Sequence, residues 1–128
     1  MSSKNLVVAG TVLGFLTVAL GAFGAHALEE RLDPDQLETW GTAVLYQGLH
    51  GLALIGLGTW SQVVGRPVRV AGIALLLGCV LFSGSLYAHV LGGPQWLVYA
   101  TPLGGLSFLV GWLAWTLAAL RIPSQGRS

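Results

Sequence analysis

The sequence predicts an all-α protein, a bundle of four transmembrane helices held in a bilayer. Three observations predict it. Mean hydropathy is +0.74 and only 9% of the 128 residues are charged, whereas a soluble domain carries about 25%. Four apolar runs reach the roughly 20 residues needed to cross hydrocarbon, and short stretches holding the charges separate them. Trp40 and Trp60 bracket one run, twenty residues apart. At ~1.5 Å per residue that is ~30 Å, the thickness of a hydrocarbon core, with both indoles expected at its interfaces.

The first span is read over residues 6–26, after a short start with Lys4. Gly10 and Gly14 form a small-xxx-small pair that lets a neighbouring helix approach closely. Lys4, the apolar core and Ala25-His26-Ala27 also fit a cleavable signal peptide, which would leave three helices. The first loop follows over residues 26–35, and every acidic residue lies between Glu29 and Glu38, with Arg31 among them. Asp33-Pro34-Asp35-Gln36 reads as a helix start. Asp33 suits the cap, Pro34 the first turn, and the acids suit the positive end of the helix dipole. The helix then enters the membrane over residues 41–61. Gly65, Arg66, Pro67 and Arg69 mark a turn, and residues 69–91 form the third span. Gly92-Gly93-Pro94 is the next turn. Residues 97–120 form the fourth span, ended by Arg121 and a polar tail.

Four crossings put Lys4, Arg66, Arg69, Arg121 and Arg127 on one side and only Arg31 on the other. The positive-inside rule then places both termini in the cytoplasm. Ala25-His26-Ala27-Leu28 and Ala88-His89-Val90-Leu91 recur 63 residues apart, so two related helical hairpins are one reading of the chain.

The informative stretch is Leu45 to Gly51. Tyr46, Gln47 and His50 share a helix face inside an apolar run. His26, Ser83, Ser85, Tyr87 and Thr101 fall in the same leaflet under this topology. Hydrocarbon offers polar groups no partners, so these eight residues should face the interior. One reading is a polar pocket for a small ligand, an ion or a proton. The other is interhelical hydrogen bonding, at around 0.6 kcal/mol per bond, that fixes helix register. A mid-membrane histidine such as His50 is the strongest functional candidate.

Other chemistries find little support. Net charge is +1 without a basic patch, which argues against nucleic acid. Cys79 is the one cysteine, so it forms neither an internal disulfide nor, alone, a zinc or iron–sulfur site. His26 and His50 differ in depth by roughly 10–15 Å, too far to ligate one haem iron. A site of His26, His89 and Glu29 or Glu30 lacks tight ligand spacing. No phosphate loop, G-x-S-x-G or H-E-x-x-H occurs. No metal or cofactor is therefore expected, and no catalytic residue is assigned. The tryptophans Trp40/Trp96 and Trp60/Trp112/Trp115 read as two interface belts.

Four ordered motifs add a resemblance. They are Gly21-Ala22-Phe23-Gly24-Ala25-His26-Ala27-Leu28, Tyr46-Gln47-x-x-His50, Leu81-Phe82-Ser83-Gly84-Ser85-Leu86-Tyr87, and the stretch from Thr101-Pro102 through Gly104-Gly105 and Phe108-Leu109 to Gly111-Trp112. From Leu6 to Arg121 the chain resembles the YgdD-like family of small bacterial inner-membrane proteins, which has animal relatives. The resemblance implies four membrane helices, an uncleaved first span and a place in the inner, or plasma, membrane. It implies no established activity, substrate or cofactor. The expected role is non-enzymatic, structural or accessory, through helix contacts in the lipid bilayer with a membrane-protein partner or a second copy. The alternative is a small-molecule or proton-handling protein that uses the polar pocket.

Overall fold

The computed structural model describes residues 1–124. Arg127, counted above among the positive charges, and the end of the polar tail lie outside the described residues. Those described form four helices and no strands: α1 (Ser3–His26), α2 (Pro34–Val64), α3 (Arg69–Val90) and α4 (Gln95–Leu120).

Local chemistry explains the boundaries. The Asp33 carboxylate accepts from the Gln36 amide at 2.8 Å, and the Gln36 side chain accepts from the Asp33 amide at 3.1 Å. This reciprocal pair, with Pro34 next, starts α2 well before its apolar part. Gly65 ends the helix at φ +70°, a backbone region open to glycine.

Among the described residues, α1, α3 and α4 are long and apolar enough to cross a membrane. α2 is not among them. It carries Tyr46, Gln47 and His50, and it is the helix with the most buried positions. It runs antiparallel to α1 along its whole length, from Trp40 beside Leu20 to Ser61 beside Ser3. The chain is thus an all-α, four-helix membrane protein whose least apolar helix contributes many of its buried positions.

Two antiparallel hairpins, α1–α2 and α3–α4, make the most extensive contacts, and α2 and α3 join them. The first hairpin closes through glycine. A Cβ added at Gly10 would lie 2.5 Å from the Gly51 carbonyl oxygen. Gly14 is different, since a Cβ there would meet open space. The second hairpin interlocks reciprocally. Phe108 of α4 covers Gly78 of α3, and Phe82 of α3 covers Gly104 of α4. The Phe108 ring fills the gap left by Gly78, whereas at Gly104 it is the Phe82 backbone that approaches.

Cys79–Ser83 is a π-helical turn within α3. Buried Leu75, Cys79 and Ser83 and half-buried Tyr87 form a stripe on α3 spaced by four, from which Ser83 and Tyr87 bond to α2. An α-helix of 3.6 residues per turn would rotate that stripe by ~40° at each step. The wider turn offsets the drift and keeps these side chains on one inward face.

Trp40 departs from the interface role expected of it. It is 3% exposed, and its indole N–H donates to the Leu20 carbonyl at 2.9 Å. Gly24 leaves the space it occupies. With Leu28 and Val90 it forms a small cluster at the acidic end, while Leu6, Leu54, Leu57, Leu75 and Phe108 belong to the main core.

Gly10→Val should lower unfolding stability in detergent by about 1–3 kcal/mol, the usual cost of overpacking. Gly14→Ala should change it by less than about 0.5 kcal/mol. Equal effects at the two positions would show that the α1–α2 approach has been misplaced.

Candidate functional site

The polar residues singled out in the sequence do not line a common pocket. Most of them form separate pairings that stitch neighbouring helices together. The first centres on Gln47, which is 4% exposed. Its amide N–H donates to the Leu13 carbonyl of α1 at 3.1 Å, and its amide oxygen accepts from the Tyr87 hydroxyl of α3 at 2.8 Å. Geometry favours this reach. Side chains tilt toward the N-terminus of their own helix, so Gln47 and Tyr87 converge from antiparallel α2 and α3.

Ser83 is buried one helical turn away and donates to the Ala43 carbonyl at 2.8 Å. Ser85 points the other way, toward α4. Its hydroxyl lies 2.5 Å from the Thr101 hydroxyl and also donates to the Phe82 carbonyl at 2.9 Å.

His50 is 2% exposed and makes a further pairing. The Trp112 indole N–H donates to its Nε2 at 3.1 Å. An indole nitrogen only donates, so Nε2 must accept. The proton then sits on Nδ1, which donates to the Tyr46 carbonyl at 2.7 Å. The imidazole also stacks on Phe108, with ring centroids 3.5 Å apart and planes 10° apart. Both ring nitrogens are engaged, which leaves no lone pair directed at a ligand or metal.

Tyr46 joins this group through its ring, 4.6 Å from Phe82 and 6.2 Å from Phe108 between centroids. It is 37% exposed. His26 stands apart, exposed at the end of α1. No buried side-chain nitrogen or oxygen among the described residues lacks a hydrogen-bond partner. The principal clefts lie elsewhere, on the α3–α4 seam and beside Gly21, Gly24 and Trp40.

Sequence reasoning missed four members of this bonding system. Trp112 was read as a belt residue, yet it ties α4 to α2. Its spacing of four from Phe108, which puts both on one face, was the available signal. Trp40 was likewise read as a belt residue. Ser107 donates to the Ala74 carbonyl at 2.7 Å, and Ser61 to the Arg66 carbonyl at 2.6 Å. Single serines in glycine-rich runs carry no signal that separates such bonds from solvent exposure.

Residues 20–105 match a family model described as "Protein of unknown function (DUF423)". The chain belongs to this family. Its relatives include UPF0382 inner membrane protein YgdD of Escherichia coli K12, 37% identical over all of this chain and 98% of that one. UPF0382 membrane protein SH2409 of Staphylococcus haemolyticus is 44% identical over 86% of this chain and 90% of its own. A further UPF0382 membrane protein, from Staphylococcus epidermidis, is 39% identical over 92% and 97% of the two chains. No solved structure matches. The DUF423 match takes in Tyr46, Gln47, His50, Ser83, Ser85, Tyr87 and Thr101, and stops short of Trp112. No specific activity follows from membership.

Nitrogen NMR of histidine-labelled protein should show His50 protonated at Nδ1 and bare at Nε2, with the Nε2 signal moving in Trp112→Phe. An Nε2-protonated ring would refute the assigned bond. A double-mutant cycle on Gln47→Leu and Tyr87→Phe should give a coupling of about 0.6 kcal/mol and no more than about 1.7. Strict additivity would show that the two do not pair.

Proposed function

We propose that this chain is a non-catalytic structural or accessory membrane component that acts through its outer helix surfaces. One observation carries the reading. Among the described residues every buried polar side-chain atom is bonded within the protein, including both nitrogens of His50. A proton carrier or small-ligand site needs groups aimed at a path or a cavity, and the polar residues are instead turned on one another. What the chain presents outward is apolar, with Phe15, Val18, Leu52, Val63 and Leu109 all well exposed. Surfaces of that kind meet lipid or another membrane helix.

The same proposal includes four crossings with both termini in the cytoplasm. α2 lies antiparallel along the whole of membrane-length α1, which supports its crossing too. Lys4, Arg66, Arg69 and Arg121 then share one side and the acidic loop faces the other.

Single cysteines placed in a Cys79→Ala background test the topology. An impermeant maleimide should label Glu30→Cys in intact cells, and Ser2→Cys and Gln62→Cys only after lysis. Labelling of Gln62→Cys from outside would overturn the arrangement. For the role itself, His50→Gln should keep the protein folded and keep whatever partner co-purifies with the wild type from native membranes. Proteoliposomes should show no proton or solute flux above empty vesicles. A flux that His50→Gln abolishes in a folded protein would replace this reading with the transport one.

A further inference from the structure

We infer that the outer seam between α3 and α4 binds one anionic phospholipid, its acyl chain in the groove and its phosphate between Arg69 and Arg121. Two clefts open along this seam and share Arg69 and Val70. The larger, about 640 Å³, is walled by Val70, Ile73, Leu77, Leu103, Leu106 and Val110, each of them exposed. The smaller, about 440 Å³, continues past Leu117 to Arg121. Ser107, the hydroxyl in the larger groove, is already bonded to the Ala74 carbonyl. What remains is hydrocarbon surface closed at one end by two guanidinium groups.

The dimensions suit a single lipid tail. From Arg69 to Leu81, α3 rises ~18 Å, and one leaflet of hydrocarbon is ~15 Å deep. Charge settles the headgroup. Arg69 and Arg121 are both exposed. All five Asp and Glu side chains lie between Glu29 and Glu38, at the other end of the bundle. The two arginines therefore have no side-chain carboxylate beside them, and a lipid phosphate supplies the missing anion. A second copy in the same orientation fits less well, because symmetry about the seam would bring Arg69 and Arg121 against their own counterparts. This inference stands independently of the accessory role.

Native mass spectrometry in mild detergent tests it, with phosphatidylglycerol and phosphatidylcholine of identical acyl chains as probes. One phosphatidylglycerol should stay bound per chain, with phosphatidylcholine retained at least roughly tenfold less. Arg69→Gln or Arg121→Gln alone should weaken retention about fivefold, and the pair roughly thirtyfold. Val110→Trp, on the exposed wall, should reduce retention of both lipids and leave the headgroup preference unchanged. Circular dichroism verifies the fold of each variant, and Leu77→Trp repeats the test from the opposite wall. Equal retention of the two lipids, indifference to the double arginine change, or indifference to both tryptophan variants would overturn the proposal. So would displacement of the lipid by inorganic phosphate alone, which would mark a free-anion site. A dimer that forms through the seam and excludes lipid would overturn it as well.

Discussion

A polar group buried in hydrocarbon has no water to fall back on, and that constraint organises this bundle. Its effect is most direct in the side chains that bond to carbonyls of a neighbouring helix. Trp40 and Gln47 of α2 reach Leu20 and Leu13 of α1. Ser83 of α3 reaches Ala43 of α2, and Ser107 of α4 reaches Ala74 of α3. Consecutive helices are thus fastened through each other's backbones. A helical carbonyl has a second lone pair beyond its own i→i+4 bond, so these contacts add a bond and disrupt none. Trp112 and His50 then tie α4 back to α2. Among the described residues it is the bond that closes the bundle across non-consecutive helices.

The architecture was legible because it rests on length, apolarity and charge placement. The capping pair at Asp33 and Gln36, the turn at Gly65 and the break at Gly92-Gly93-Pro94 are local chemistry, and sequence exposes local chemistry. The eight candidate residues were legible only as a class. Polar groups in a membrane must pair, but which pairs form depends on helix rotation and on the depth at which antiparallel helices meet. The π-turn at Cys79–Ser83 changes both for α3, and the run Cys-Val-Leu-Phe-Ser does not announce it. Tryptophan was the systematic error. An indole suits an interface and, equally, a buried carbonyl near a glycine. Gly24, which admits Trp40, stands sixteen residues earlier in the chain. No local pattern links the two.

The histidine-bearing motifs at the ends of α1 and α3 gain meaning from the same comparison. His26 and His89 both sit exposed at equivalent places in the two hairpins. Both hairpins close by the same two devices, backbone against glycine at Gly10 and Gly104 and an aromatic ring over glycine at Gly24 and Gly78. Shared helix-end sequence thus accompanies like packing devices. The second hairpin also positions His50. Its imidazole stacks on Phe108, itself seated over Gly78, so a ring of the second hairpin orients a side chain of the first.

Because interhelical hydrogen bonds in membranes contribute only about 0.6 kcal/mol each, this network is a weak reservoir of stability and a strong determinant of register. Sliding α2 by one residue would carry Gln47 off Tyr87 and His50 off Trp112 together, stranding four polar groups at once. Each stranded group costs more than the bond it lost, since its desolvation is no longer offset. The interior is therefore committed to a single arrangement, and its polar side chains hold helix surfaces in fixed relation. Any specificity in this molecule belongs on those outer surfaces, where the apolar seams and the separation of basic from acidic ends are set by the register within.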